Sequence, residues 1–246
     1  IEKFQKETDI TVKWTRVNHG EYWTKLDGLI ANNQAPDVVR TNTPLATRMT
    51  QFQSLDAAKY DFSDAAWDPI VMKAHTINGV TLATSLKNTH IGIVEVMHYN
   101  KNLIEKYDLE DPYQLWKAGK WDTNKLLEMA REYAKASGNK CAVTGIWNYD
   151  WLQMRGIDGN IAYKNGKYVN MMSDPTFLKV TQEYADLSVT EGLFYGGRAE
   201  IMDAGNALFY AGGSIYTRKK NTYLGTLKSE GSLYIVPMPA VTGQST

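Results

Sequence analysis

Cysteine is nearly missing from this chain: Cys141 is the only one among 246 residues, so no disulfide can form within it. That scarcity fits a reducing cytoplasm and equally fits the many exported bacterial proteins that avoid thiols, so composition leaves the compartment open. Charge of one sign is missing too. Lys plus Arg equals Asp plus Glu at 27 each, which leaves no whole-chain field to recruit nucleic acid or an anionic membrane. Long apolar runs are absent, and stretches such as Ile91-Gly92-Ile93-Val94 are far too short to cross a bilayer. No basic-then-apolar leader opens the chain. Residues 1–7 read instead as the middle of an amphipathic helix with no N-cap, so the N-terminus is expected to be cut.

The motifs of common chemistries are missing as well. His19, His75, His90 and His98 share no ligand spacing, and no HExxH or paired-Cys pattern exists, so neither a metal nor a cofactor is expected. Gly196-Gly197 and Gly212-Gly213 lack the frame of a phosphate-binding loop, and Ser214 lacks that of a nucleophile elbow. Cys141 has no motif neighbour and reads as a small apolar residue. Paired carboxylates leave no motif, so glycoside hydrolysis by Glu95, Asp150 or Asp158 stays open as the alternative function.

What the sequence does have is aromatic side chains with a polar handle: seven Trp and 15 Tyr against six Phe. Such rings suit amphipathic ligands, because the ring packs while its N–H or O–H bonds outward, although any single one is more often core. Hydrophobic periodicity alternates helix and strand. A helix over 1–8 precedes a half-buried strand over 10–14, where Ile10, Val12 and Trp14 alternate with polar residues. A helix over 21–33 precedes a short buried strand at Val38-Val39. Short helices follow near 45–49 and 69–74, then an Asn78-Gly79 turn and a strand over 80–84. Residues 91–99 read as an extended crossover strand, and Asn100 as the cap of a helix to Tyr107. Asp122 caps the clearest helix, with Leu126, Met129, Ala130, Tyr133 and Ala134 on its buried face and Gly138 as its stop. Asp174-Pro175 opens another, a third helix is expected over 201–211, and strands at 214–217 and 233–236 flank a short helix. This order implies an α/β fold with βαβ units and a largely parallel sheet.

Taken in order, several short pieces carry a likeness. They are the opening helix and strand, Ala35-Pro36-Asp37-Val38-Val39, Asn78-Gly79-Val80, and Tyr99-Asn100-Lys101-Asn102-Leu103. Gly119-Lys120-Trp121-Asp122, Gly212-Gly213-Ser214-Ile215 and Val236-Pro237-Met238-Pro239 complete the set. The chain resembles the family of extracellular solute-binding proteins that includes the maltose-binding protein. The resemblance implies a periplasmic-binding-protein-like fold of two α/β lobes joined at a hinge, an N-terminal lobe over 1–94 and a C-terminal lobe over 95–246. It implies the sugar-binding component of a bacterial ABC importer, taking a carbohydrate into the interlobe cleft without turnover and meeting permease subunits as a monomer. The location it implies is extracellular, either periplasmic or at the cell surface through an N-terminal lipoprotein anchor lost from this sequence. The family's first strand and its C-terminal return into the first lobe are absent here, and Thr84-Ser85 replaces its usual proline before the crossover.

The expected contacts follow. Trp147, Tyr149 and Trp151 form the richest aromatic cluster and fall where the family places a stacking aromatic, although Trp151, beside Leu152 and Met154, could equally pack in the core. Arg40, Asn42 and Thr43 follow a strand, and in open α/β sheets carboxyl ends of strands face the ligand. Helix capping is the alternative for Asn42 and Thr43. Asn88 and His90 lie on the loop entering the crossover, with a solvated loop as the equal alternative. Arg218, with Lys219 and Lys220, would favour an acidic ligand if it reached the cleft, and a solvated helix start if not.

Overall fold

The computed structural model describes residues 1–40, 46–56, 60–87, 95–157, 159–164, 167–218 and 223–241. The chain divides into two compact units, Ile1–Phe52 and Gln53–Thr246. The lobe boundary expected at 94 and 95 falls at the edge of a stretch outside the described residues.

The first unit is held together lightly. Its helices are Glu2–Thr8 and Tyr22–Ala31, with a single-turn 3-10 helix at His19–Glu21 and two 3-10 turns kinked at Arg48 over Ala46–Gln51. Leu26 is the one buried hydrophobic among its described residues. Arg48 ties the unit together from one side chain: it bonds Asp27 at 2.6 Å and lies 4.3 Å over the ring of Trp23. Both strands expected here are absent. Ile10 and Trp14 are exposed, and the N–H of Val12 donates to Oε1 of Gln5 at 2.7 Å rather than to a ladder. Val38 is 84% exposed. Alternation marks a face, but a strand exists only where a neighbour takes its N–H and C=O groups, and no described segment of this unit does so.

The second unit is built on a five-stranded sheet. Its strands are β1 Glu95–Asn100, β2 Val143–Thr144, β3 Phe194–Tyr195, β4 Phe209–Gly213 and β5 Leu233–Pro237, in the order β3-β2-β4-β1-β5. The sheet is mixed rather than largely parallel. β2 runs parallel to β3 and β4, whereas β1 is antiparallel to both β4 and β5. Helix–strand alternation does not encode the polarity of a pair, and the expectation failed at β1. Registers set Glu95 opposite Gly213, Tyr99 opposite Phe209, and Thr144 opposite Tyr210.

Helices pack on this sheet for reasons local to the sequence. In α1, Thr123–Ser137, Asp122 accepts the N–H of Lys125 at 2.9 Å, and Gly138 ends the helix at φ 75°, where a side chain would be strained. Leu126, Met129, Ala130 and Tyr133 are buried along one face at helical spacing. Each large apolar side chain so buried contributes about 1.5–3 kcal/mol relative to exposure. Asn100 caps Lys101–Lys106 by accepting the N–H of Leu103. Asp174 caps α3, Pro175–Ala185, with Pro175 at its first position. The Gly119–Asp122 and Val236–Pro239 pieces meet: Nε1 of Trp121 donates to the carbonyl of Pro237 at 2.8 Å, and the N–H of Thr123 to that of Ala240 at 3.1 Å.

Around residue 205 the expectation fails in type. The helix read over 201–211 is Ala199–Asp203, after which Gly205 turns at φ 75° and β4 begins. The strand read over 214–217 is a 3-10 turn, Ser214–Thr217. A short apolar run such as Ala207-Leu208-Phe209-Tyr210-Ala211 is compatible with either element. Its position between two strands decides the matter, since every residue of β4 is buried. Among the described residues no helix is long and apolar enough to cross a membrane.

Candidate functional site

A cavity of about 290 Å³ opens where β2, β3 and β4 end and β1 begins. Because β1 runs against β4, its first residue Glu95 stands beside the last, Gly213. The remaining wall comes from the segments leaving the parallel strands: Gly145, Trp147, Tyr149 and Asp150 after β2, Gly197 after β3, and Ile215 and Tyr216 after β4. Carboxyl ends of parallel strands, where loops diverge, are the usual place for a ligand crevice in α/β sheets.

Two glycine pairs shape this wall. Trp147 lies against Gly196-Gly197: a methyl group on Gly196 would stand 2.8 Å from its Cζ3, and one on Gly197 2.9 Å from its Cζ2. The indole therefore rests on bare backbone with half of its surface exposed, at the start of α2, Asn148–Met154. Tyr210 is seated likewise. A methyl on Gly145 would come 2.6 Å from its Cε2 and one on Gly212 2.5 Å from its Cε1, so its ring fills the space those side chains would need. Tyr216 meets Tyr210 edge-on at 5.2 Å, and Tyr223 meets Tyr216 at 5.4 Å.

His98 lies beneath these rings, fully buried. Its Nδ1 is 3.2 Å from the carbonyl oxygen of Tyr210, and since a carbonyl can only accept, Nδ1 carries the proton. Nε2 is buried without a hydrogen-bond partner among the described residues. Burial lowers the pKa of His98 to about 4, against the opposing effect of the Tyr210 hydrogen bond, so the ring is neutral at ordinary pH. Burial likewise raises the Tyr210 hydroxyl, which is then a donor and never a phenolate.

Two carboxylates face the cavity. Asp150 accepts the N–H of Trp147 at 2.8 Å, which fixes the first turn of α2, and burial raises its pKa. Glu95 is raised by burial and then by the negative charge of Asp150. The Tyr149 hydroxyl is raised by burial and by the same two charges.

Of the residues expected from sequence, the structure brings Trp147 and Tyr149 to this cavity. Trp151 is corrected to a core residue. It is 0% exposed, packs edge-on against Phe194 at 5.2 Å, and directs Nε1 to Glu183, because the second turn of α2 points it inward beside Leu152 and Met154. Arg218 is exposed and does not line the cavity. Its carbonyl and that of Tyr216 accept from Nζ of Lys228 at 3.3 and 3.2 Å, which pins the backbone and leaves the guanidinium to solvent. Arg40 belongs to the first unit, is exposed, and accepts the hydroxyl of Tyr22 on its carbonyl. Asn42, Thr43, Asn88, His90, Asp158, Lys219 and Lys220 lie outside the described residues. Sequence reasoning missed Tyr210 and Tyr216. The signal available was Gly212-Gly213 next to them, a place where backbone must admit a large neighbour. Among the described residues no group of three or more His, Cys, Asp or Glu could hold a metal, and burial pushes the Cys141 thiol up to about 11, away from reactivity.

Comparison with known families decides the kinship, because the profile of bacterial extracellular solute-binding proteins matches residues 1–214. The chain belongs to that family. Solved structures give the same fold. The GacH receptor of Streptomyces glaucescens GLA.O, determined unliganded and with acarbose, is 20% identical, with TM-score 0.65 over 99% of this chain and 63% of its own. Maltose-bound MalE3 of T. maritima is 19% identical, with TM-score 0.58 over 100% of this chain and 64% of its own. The ABC transporter associated binding protein of B. animalis subsp. lactis Bl-04, in complex with β-1,6-galactobiose, is 18% identical, with TM-score 0.58 over 99% and 60%. This solute-binding protein thus has the periplasmic-binding-protein-like α/β fold and spans about three fifths of the length of those structures. A search of curated proteins returned no match.

Proposed function

We propose that this chain is the substrate-binding part of a bacterial ABC importer, acting outside the cytoplasm, and that it binds a carbohydrate at the described cavity without turning it over. The observation that carries this reading is the Trp147 platform: a half-exposed indole laid on backbone, beside Tyr149 and above carboxylate and hydroxyl groups. A sugar presents C–H faces to such a ring and hydroxyls to such a rim. The family supports a solute receptor, and the named structures with acarbose, maltose and β-1,6-galactobiose support a carbohydrate. The two lobes of the proposal are 1–94 and 95–246. Delivery to permease subunits and attachment at a periplasmic or cell-surface site complete it.

Thermal unfolding against a panel of mono- and oligosaccharides tests the reading. A ligand specific for the native state at 100 times its Kd adds about 2.7 kcal/mol, a shift of several degrees for a chain of this size. Recovery of the sugar unchanged is the second half of the prediction. Glycoside hydrolysis remains a second reading because Glu95 and Asp150 share one cavity wall. New reducing ends in that same incubation would establish it and overturn the first.

A further inference from the structure

Three tyrosines lead outward from the cavity in order of rising exposure. Tyr210 lines it and is 6% exposed, and half-buried Tyr216 lines it too and meets Tyr210 edge-on at 5.2 Å. Tyr223 stands outside the lining, meets Tyr216 edge-on at 5.4 Å and is 49% exposed. The position of Tyr223 is set by the residues that follow it. Leu224 has φ 55°, a left-handed conformation that is costly for a bulky side chain and persists only where the surroundings hold it. Here Leu224 is buried in the cluster of Met202, Tyr210 and Leu227, against which Tyr216 also packs. Asp203 accepts the N–H groups of Thr226 and Leu227 at 3.2 and 3.0 Å, and Nζ of Lys228 donates to the carbonyl of Tyr216. The short helix Gly225–Ser229 thus anchors both outer rings to one apolar cluster.

At about 290 Å³ the cavity lies at the lower edge of the roughly 300–1,000 Å³ usual for small-molecule sites, so a saccharide of several rings continues beyond it. We infer, on the saccharide reading, that Tyr223 is an outer subsite: the ligand is an oligosaccharide with one end in the cavity against Trp147 and a later ring stacked on Tyr223. A phenol suits this place, because its face packs on sugar C–H groups while its hydroxyl stays wet. A contact made by a ligand already held at one end is intramolecular, so even weak stacking on a fixed ring multiplies the affinity.

The test is calorimetric titration with malto-, cello- and β-1,6-galacto-oligosaccharides of one to five units, against the unmodified chain, Tyr223→Ala and Tyr223→Phe. In the series that binds, affinity should rise with length, by tenfold or more from the shortest binding member to the longest. Tyr223→Ala should remove that gain, losing tenfold or more on the longest member and under twofold on the shortest, while Tyr223→Phe keeps it. Affinity that does not rise with length would overturn the inference and leave the saccharide reading standing. So would Tyr223→Ala binding every member as the unmodified chain does. An equal loss at every length would overturn it as well, since Tyr223 would then only prop Tyr216. Binding of no saccharide at all would overturn the inference and the saccharide reading together.

Discussion

The first unit and the sheet of the second start from similar sequence signals and end differently. Ile10, Val12 and Trp14 alternate as cleanly as any strand here, yet they lie unpaired, and Leu26 is the one buried hydrophobic among the unit's described residues. Residues 95–100 become a strand with neighbours on both sides and buried positions from Val96 to Asn100. Periodicity chooses which face is apolar, whereas pairing chooses whether the face is ever used. The difference also places the binding surface: a wall of precise shape forms where the sheet is continuous, at the ends of β2, β3 and β4.

The comparison can be broken by attacking each region. Phe209→Ala, at a fully buried position in β4, should cost about 3–5 kcal/mol, read as a lowered midpoint in denaturant melts. If it costs no more than Leu26→Ala, the sheet does not hold the molecule as described. Acid should act next most strongly, through His98. Its folded pKa of about 4 lies below the free value of 6.5, so the unfolded chain binds the extra proton first. The stability it protects is complete above pH 6.5 and falls by about 3 kcal/mol as pH drops through 4. His98→Gln should flatten that part of the stability curve, and equal slopes in both proteins would refute the assignment.

Smaller effects separate the shape of the site from the stability of the fold. Gly212→Ala should cost about 1–3 kcal/mol, because Tyr210 is buried and has nowhere to move. Asp122→Ala, which removes a helix cap, should cost about 1 kcal/mol with no change in binding. Gly196→Ala should leave stability within about 0.5 kcal/mol while weakening saccharide binding, since the half-exposed Trp147 can swing out of its seat.

Much of this was legible in the residues themselves. The caps Asn100, Asp122 and Asp174, the stop at Gly138 and the Asn78-Gly79 turn announce their elements because side-chain and backbone groups a few residues apart satisfy each other. Residues 209–213 were not legible, because a short apolar run is strand or helix according to what lies beside it, and β1 and β2 are 60 or more residues away in sequence. The site divides in the same way. Trp147 and Tyr149 stand out as a local cluster, and Trp151 reads as a third member although the two residues of helix that separate it from Tyr149 turn it to the opposite face. Tyr210, Tyr216 and the seat on Gly196-Gly197 arise from strand neighbours, and only the register reveals them.

The account rests most directly on Trp147 as the platform of a carbohydrate site. Isothermal titration of the unmodified chain and of Trp147→Ala with whichever saccharide shifts its thermal unfolding decides the matter. The account predicts saturable binding in the first and a loss of tenfold or more in the second, with the unfolding temperature of the free protein nearly unchanged. Equal affinity in the two proteins would contradict it and move the binding site elsewhere on the chain.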